Sequence, residues 1–205
     1  MNITKFLSAL LAFITITSVT QANATPTLFV NVHGLLVGAK NVDVAGTLYD
    51  VTFADGSCNS VFKNCSASAF AFNTFAAAQA AIPALLDQVF VDGKAGMFDI
   101  QPYKIRGCTA IDECWVFIPY MSDTEDVYGA AAINSSFSND TALPYHGVGG
   151  FSALRDWNMV SELNVTYAIF TLAPNGIIDV PEPSSFGLMS IALAALAFVG
   201  RRKKS

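Results

Sequence analysis

The stretch from Val180 to Ser205 limits what this chain can fold into more than any other feature. Val180-Pro181-Glu182-Pro183-Ser184-Ser185 leads into an apolar run, Phe186 to Gly200, and four consecutive cations follow, Arg201, Arg202, Lys203 and Lys204. Pro181 and Pro183 deny the backbone a regular helix or ladder and leave an extended, accessible strip. The apolar run, helped by Ser184 and a snorkelling Arg201, reads as a transmembrane helix over about residues 184–200, near the short end of the roughly 17–25 residues a span needs. By the positive-inside rule the four cations form a topology signal that holds this end in the cytoplasm. The tail is therefore set apart from any soluble core.

The other end is also set apart. Lys5 supplies a positive n-region, Phe6 to Thr17 a short apolar stretch, and Ala22-Asn23-Ala24 the small residues that signal peptidase reads. Residues 1–24 read as a signal peptide, exported by the Sec machinery and cleaved between Ala24 and Thr25. A membrane-anchoring helix fits less well, because the stretch is short and the small-x-small site follows it directly. Residues 25–179 remain as one exported domain, with 180–205 as the tail.

Motif, apolar run and basic cluster in this order resemble the PEP-CTERM sorting signal, over Val180 to Ser205 only. The resemblance implies that an exosortase, a membrane transpeptidase-like enzyme, recognises the tail and cuts near the motif. Pro181, Glu182 and Pro183 are then recognition residues of a substrate and not catalytic groups. It also implies an inner-membrane stage with the domain on the periplasmic side, then the cell surface or extracellular matrix, in association with exopolysaccharide. A plain single-pass anchor with a proline-containing stalk is the alternative. The region from Gly46–Phe53 to Ala84–Phe90 is similar to stretches of uncharacterised exported proteins with the same tail, and that similarity brings no activity with it.

Charge fits export. Without Lys5 and the tail, six Lys and Arg face fifteen Asp and Glu, so the domain is more acidic than the whole-chain charge of −5. Phosphate binding needs clustered cations, so nucleic acid is excluded as a partner. The four cysteines form two close pairs, Cys58/Cys65 and Cys108/Cys114, in an oxidising compartment. Three connectivities are open. Local bridges that clip two loops are expected, because the C-x6-C and C-x5-C spacings are too wide for a structural zinc site and no redox Cys-x-x-Cys is present.

Along the domain, alternation predicts strands at Leu28–Val32, at Val42–Val44 and Thr47–Phe53 around Ala45-Gly46, at Met97–Arg106 broken near Pro102, and at Trp115–Tyr120, Val127–Ile133 and Leu163–Leu172. Phe75, Ala78, Ile82, Leu85 and Val89 step by three and four and predict one alanine-rich helix. Asn73 or Thr74 would cap it, and Pro83 would kink it or begin it. Ser135 to Asp156 reads as a long loop. The expected class is α+β, a mostly antiparallel β-sheet partly covered by one helix, plus the C-terminal transmembrane helix.

Catalytic signals are few. His33 sits in a predicted strand, and His146 in a glycine-rich loop is the better candidate. No nucleophile elbow, phosphate loop, zinc-protease motif or dinucleotide fingerprint occurs. Asp112-Glu113 and Asp123, Glu125, Asp126 could serve glycoside hydrolysis or hold calcium, but solvated loop charges explain them as well. Asn-x-Ser/Thr sequons at Asn64, Asn134, Asn139 and Asn164 read as turn and strand chemistry. The expectation is a non-catalytic surface or matrix protein with no cofactor and no metal. The alternatives are a glycan- or small-ligand-binding module using Trp115, Tyr120, Tyr145, His146 and Trp157, and, behind it, a hydrolase.

Overall fold

The computed structural model describes residues 25–137, 140–142 and 151–177. Ala24, Tyr145, His146, the Pro181–Pro183 motif and the Arg201–Lys204 cluster lie outside the described residues. β1 (Thr27–Val30), β2 (Leu36–Val44) and β3 (Thr47–Ala54) run as an antiparallel meander. A one-turn helix α1 (Cys58–Val61) and the main helix α2 (Phe75–Gln88) follow, then a small hairpin of β4 (Asp92–Gly93) and β5 (Gly96–Met97). β6 (Glu113–Ser122) and β7 (Asp126–Ser135) form a long hairpin. β8 (Thr141–Ala142) and β9 (Phe151–Leu154) both pair with β7, along the edge that β6 leaves free. β10 (Val165–Ile177) lies between the two halves, antiparallel to β3 and parallel to β6. The sheet runs β1-β2-β3-β10-β6-β7-β8.

Alternation divides this sheet into two buried faces. On β6, Cys114, Val116 and Ile118 point to one core and Phe117 to the other, with Trp115 packed beside it. On β10, Ala168 and Phe170 share the first face, while Val165 and Tyr167 share the second. Helix α2 covers the first face with Ala78, Ala81, Ile82 and Leu85. Its N-terminus is capped by Thr74, whose side chain accepts from the Ala77 N–H. At its other end Gln88 clamps β2, accepting from the Asp43 N–H at 3.0 Å and donating to the Asp43 carbonyl at 2.8 Å. The helix runs through Pro83 without ending. A mid-helix proline costs about 3 kcal/mol, and burial of Ile82 and Leu85 at roughly 1.5–3 kcal/mol each offsets it.

The second face is covered by irregular chain, with Phe62, Phe70 and Met159 buried against Tyr167 and Phe117. Cys58–Cys65 clips this cover, and Cys108–Cys114 ties the preceding loop to the start of β6, the local pairing expected from the spacings. Within the first clip, Lys63, Asn64 and Cys65 adopt successive positive φ angles of 48°, 61° and 54°. Such a turn is unfavourable for non-glycine residues and needs outside support. Arg155 donates to the Asn64 carbonyl, and Ser122 Oγ donates to the Cys65 carbonyl at 2.7 Å.

The expected class needs correction. The described domain is mostly β-sheet, with a single helix longer than one turn. The sheet is mixed, because the β6–β10 pair is parallel. A parallel pair requires a crossover, and the chain from β7 to β9 supplies it, which alternation in the individual strands could not reveal. Among the described residues no helix is long and apolar enough to cross a membrane. The transmembrane helix expected at about 184–200 is thus unsupported, and that segment lies outside the described residues. Two local readings also change. Met97–Arg106 is no strand beyond Met97, since Pro102 starts a 3-10 turn, Pro102–Lys104, and the supposed loop from Ser135 to Asp156 contains β8 and β9.

Candidate ligand pocket

The second face of the sheet is not fully covered. Where β6, β7 and the start of β10 meet, a pocket of about 170 Å³ opens, lined by Trp115, Phe117, Ala131, Trp157, Asn164 and Val165. Strand register builds its floor: Val165 stands beside Trp115, and Ala131 stands opposite Phe117. Gly129, one face-mate further along β7, leaves room for the Phe117 ring, because a Cβ there would lie 2.6 Å from Phe117 Cζ. Phe117 also meets Tyr167 edge-on at 5.6 Å, and Tyr167 meets Phe62 in the same way at 5.3 Å. Each such pair adds about 0.5–1.5 kcal/mol beyond burial, so the floor is rigid.

The rim carries the polar groups. Trp157 Nε1 donates to Glu162 Oε1 at 3.3 Å, and Asn164 Nδ2 donates to Glu113 Oε1 at 3.1 Å. Both glutamates are half-buried and each orients one lining side chain. Around the 3-10 turn Met159–Ser161, Asn158 accepts from the Val160 N–H, which fixes the return from Trp157 to Asn164. The loop before β6 is tied to the same rim, with the Thr109 and Ala110 N–H groups both donating to the Leu163 carbonyl. Trp115 Nε1 is buried in the wall without an acceptor among the described residues.

Of the aromatic residues singled out in the sequence, the fold brings Trp115 and Trp157 together. Tyr120 lies on the other face, buried 5.9 Å from Phe75 of α2, and burial raises its hydroxyl pKa. Tyr145 and His146 are outside the described residues, and His33 is exposed, its backbone N–H bound to Asn31 in a turn. The acidic residues do not converge. Glu113 serves Asn164, while Asp123 accepts from the Glu125 and Asp126 N–H groups and from the Tyr128 hydroxyl. Those hydrogen bonds hold the Asp123 carboxyl below its ordinary range. Among the described residues no group of three or more His, Cys, Asp or Glu side chains is placed to hold a metal ion. In the sequence Asn164 reads as a sequon and Val165 as a strand position, neither as part of a site, and Glu162 is not singled out; the two-residue spacing of Trp115 and Phe117 is the signal that could have suggested a shared aromatic face.

A second, polar hollow of about 520 Å³ lies beside Asn59, Asn64, Glu125, Arg155 and Asp156. Arg155 is engaged there by the Asp123 carbonyl at 2.8 Å and the Asn64 carbonyl, and Asn59 binds Asp156. These bonds brace the loops around the first disulfide.

No curated protein and no solved structure matches the chain. Residues 179–203 match the PEP-CTERM protein-sorting motif.

Proposed function

We propose that this is a non-catalytic surface or matrix protein that is sorted by its tail and holds exopolysaccharide in the Trp115–Trp157 pocket. The sorting half rests on the motif, which implies export, transient membrane anchoring and processing by an exosortase-type enzyme. Export through Sec, cleavage by signal peptidase before Thr25 and a periplasmic stage complete the proposed route. The binding half rests on one observation, the convergence of both tryptophans of the chain on one pocket. Sugar rings present C–H faces that stack on indoles, and preoriented aromatics lower the entropy cost of binding. The exposed Leu163 and Ile111 extend the apolar surface beside Asn164, which suits a polymer more than an isolated ring. The non-catalytic reading is supported by the carboxylates, whose contacts brace loops and side chains.

Val165 lines the pocket as the first residue of β10, and the regular stretch from Val165 to Leu172 carries the strand roughly 23 Å away from it at about 3.3 Å per residue. Because both tryptophans line the pocket, intrinsic tryptophan fluorescence reports on this site alone. Titration of the purified full chain in detergent with the exopolysaccharide fraction of its own cells should shift that emission. Co-sedimentation with the polymer should be lost in Trp157→Ala. Undiminished co-sedimentation of the variant would remove the pocket from the reading.

A further inference from the structure

We propose that the Trp115–Trp157 pocket selects a cationic saccharide, one bearing free amino groups, over its neutral counterpart. This rests on the pocket binding saccharide at all, and it adds the charge and chemical class of the ligand.

The argument starts from what surrounds the rings. The lining offers indole and phenyl faces from Trp115, Phe117 and Trp157, and Asn164 as its polar member. Aromatic faces carry negative electrostatic potential and attract an ammonium within about 6 Å, indole most strongly. Two lining side chains each lead to a carboxylate: Asn164 to Glu113 at 3.1 Å and Trp157 to Glu162 at 3.3 Å. Among the described residues no Lys or Arg lines the pocket. The nearest guanidinium along the chain, Arg155, is turned to the Asp123 and Asn64 carbonyls on the other side of its loop. A pocket with negative faces, two flanking carboxylates and no cation is matched in sign by an amine and mismatched by a uronic acid or a sulfated sugar. The apolar floor asks for a carbohydrate face to stack, and the rim asks for positive charge at its edge; an amino sugar supplies both.

The test uses the glucosamine tetramer with free amines and its fully N-acetylated counterpart. Each is titrated into the full chain in detergent at about pH 5.5, well below the usual range of an amine. Tryptophan emission is the readout. The free-amine tetramer should bind at least about tenfold more tightly than the acetylated one. Glu113→Gln with Glu162→Gln keeps the hydrogen-bonding shape of both side chains and removes their charge. It should erase that preference, so that the two tetramers bind with equal affinity, and the near-UV circular dichroism of the free variant shows that it is folded. Trp157→Ala should abolish binding of both, whereas general attraction to an acidic domain would survive it. Equal affinities for the two tetramers, or a preference that persists in the double glutamine variant, would overturn the charge selection and leave saccharide binding standing. No response to either tetramer would overturn both.

Discussion

Val165 of β10 and Trp115 of β6 are register partners in a parallel pairing, although fifty residues of chain separate them. The pairing puts the first residue of the domain's last strand beside the tryptophan that walls the pocket. It exists because β10 enters the sheet between its two halves, and both β3 and β6 must be in place to receive it.

The floor of the pocket depends on a missing side chain. A Cβ at Gly129 would lie 2.6 Å from Phe117 Cζ and 2.7 Å from the Ile118 carbonyl, and the second of these cannot move without disturbing the β6–β7 ladder. Gly129→Ala should cost about 1–3 kcal/mol, as overpacking does, and push Phe117 toward Trp115. Urea unfolding measures the first effect and tryptophan emission of the folded state the second. Wild-type stability together with wild-type emission would show that the ring has free space.

Arg155 should matter for stability and not for the ligand. Its side chain ties the left-handed turn at Asn64 to the β6–β7 turn at Asp123 through two carbonyls. Arg155→Ala leaves both acceptors without this cation, and hydrogen bonds to charged groups contribute roughly 1.5–3 kcal/mol each. A loss of about 2–4 kcal/mol is expected, with Lys recovering part of it because one ammonium cannot reproduce the two-pronged geometry. Saccharide affinity of the folded variant should equal that of the wild type. A variant as stable as the wild type would show that the disulfide and the Ser122 hydroxyl hold the turn without Arg155.

Asp123 gives the β6–β7 turn a defined pH response. The backbone N–H groups of Asp126 and Glu125, and then the Tyr128 hydroxyl, hold its folded pKa below the unfolded value. A lowered carboxyl pKa contributes stability that is fully present above the unfolded value, about 3.9, and is lost as pH falls through the folded one. Asp123→Asn keeps an acceptor for the N–H groups but cannot ionise. It should be less stable than the wild type at neutral pH, and the two should converge as the solution is acidified below pH 4. Denaturation midpoints measured across that range decide the point; a gap that stays constant with pH would assign the effect to shape alone.

Much of the sheet could be read from strand signals. Thr47–Ala54 alternates, and the β6–β7 hairpin is apolar on both faces, as strands buried on both sides require. Thr74 and the three-four spacing from Phe75 fix the helix. The parallel β6–β10 pairing could not be read, since nothing in Val165 or Trp115 specifies a partner so far away in the chain. The same limit hid the pocket: two tryptophans forty-two positions apart give no sign that one loop folds back over the other's strand. Tyr120 misled for a related reason. It is an aromatic residue on the same strand as Trp115, but an odd number of residues away, and so it faces the helix.

The tail prediction concerns the motif itself. The matched residues 179–203 follow β10 (Val165–Ile177) in the chain, and proline at positions 181 and 183 restrains a backbone against regular helix. Replacing Pro181, Glu182 and Pro183 with alanine removes both the side-chain pattern and this restraint, because alanine is the strongest helix former. In a host with an exosortase, the wild type should be converted to a shorter form, while the triple variant should accumulate at its unprocessed length. Trp157→Ala should be processed like the wild type, since Trp157 lies outside the matched residues 179–203. Immunoblots of whole cells and medium, with and without the enzyme, follow both proteins. Conversion of the triple variant at the wild-type rate would show that the enzyme does not read Pro181–Pro183.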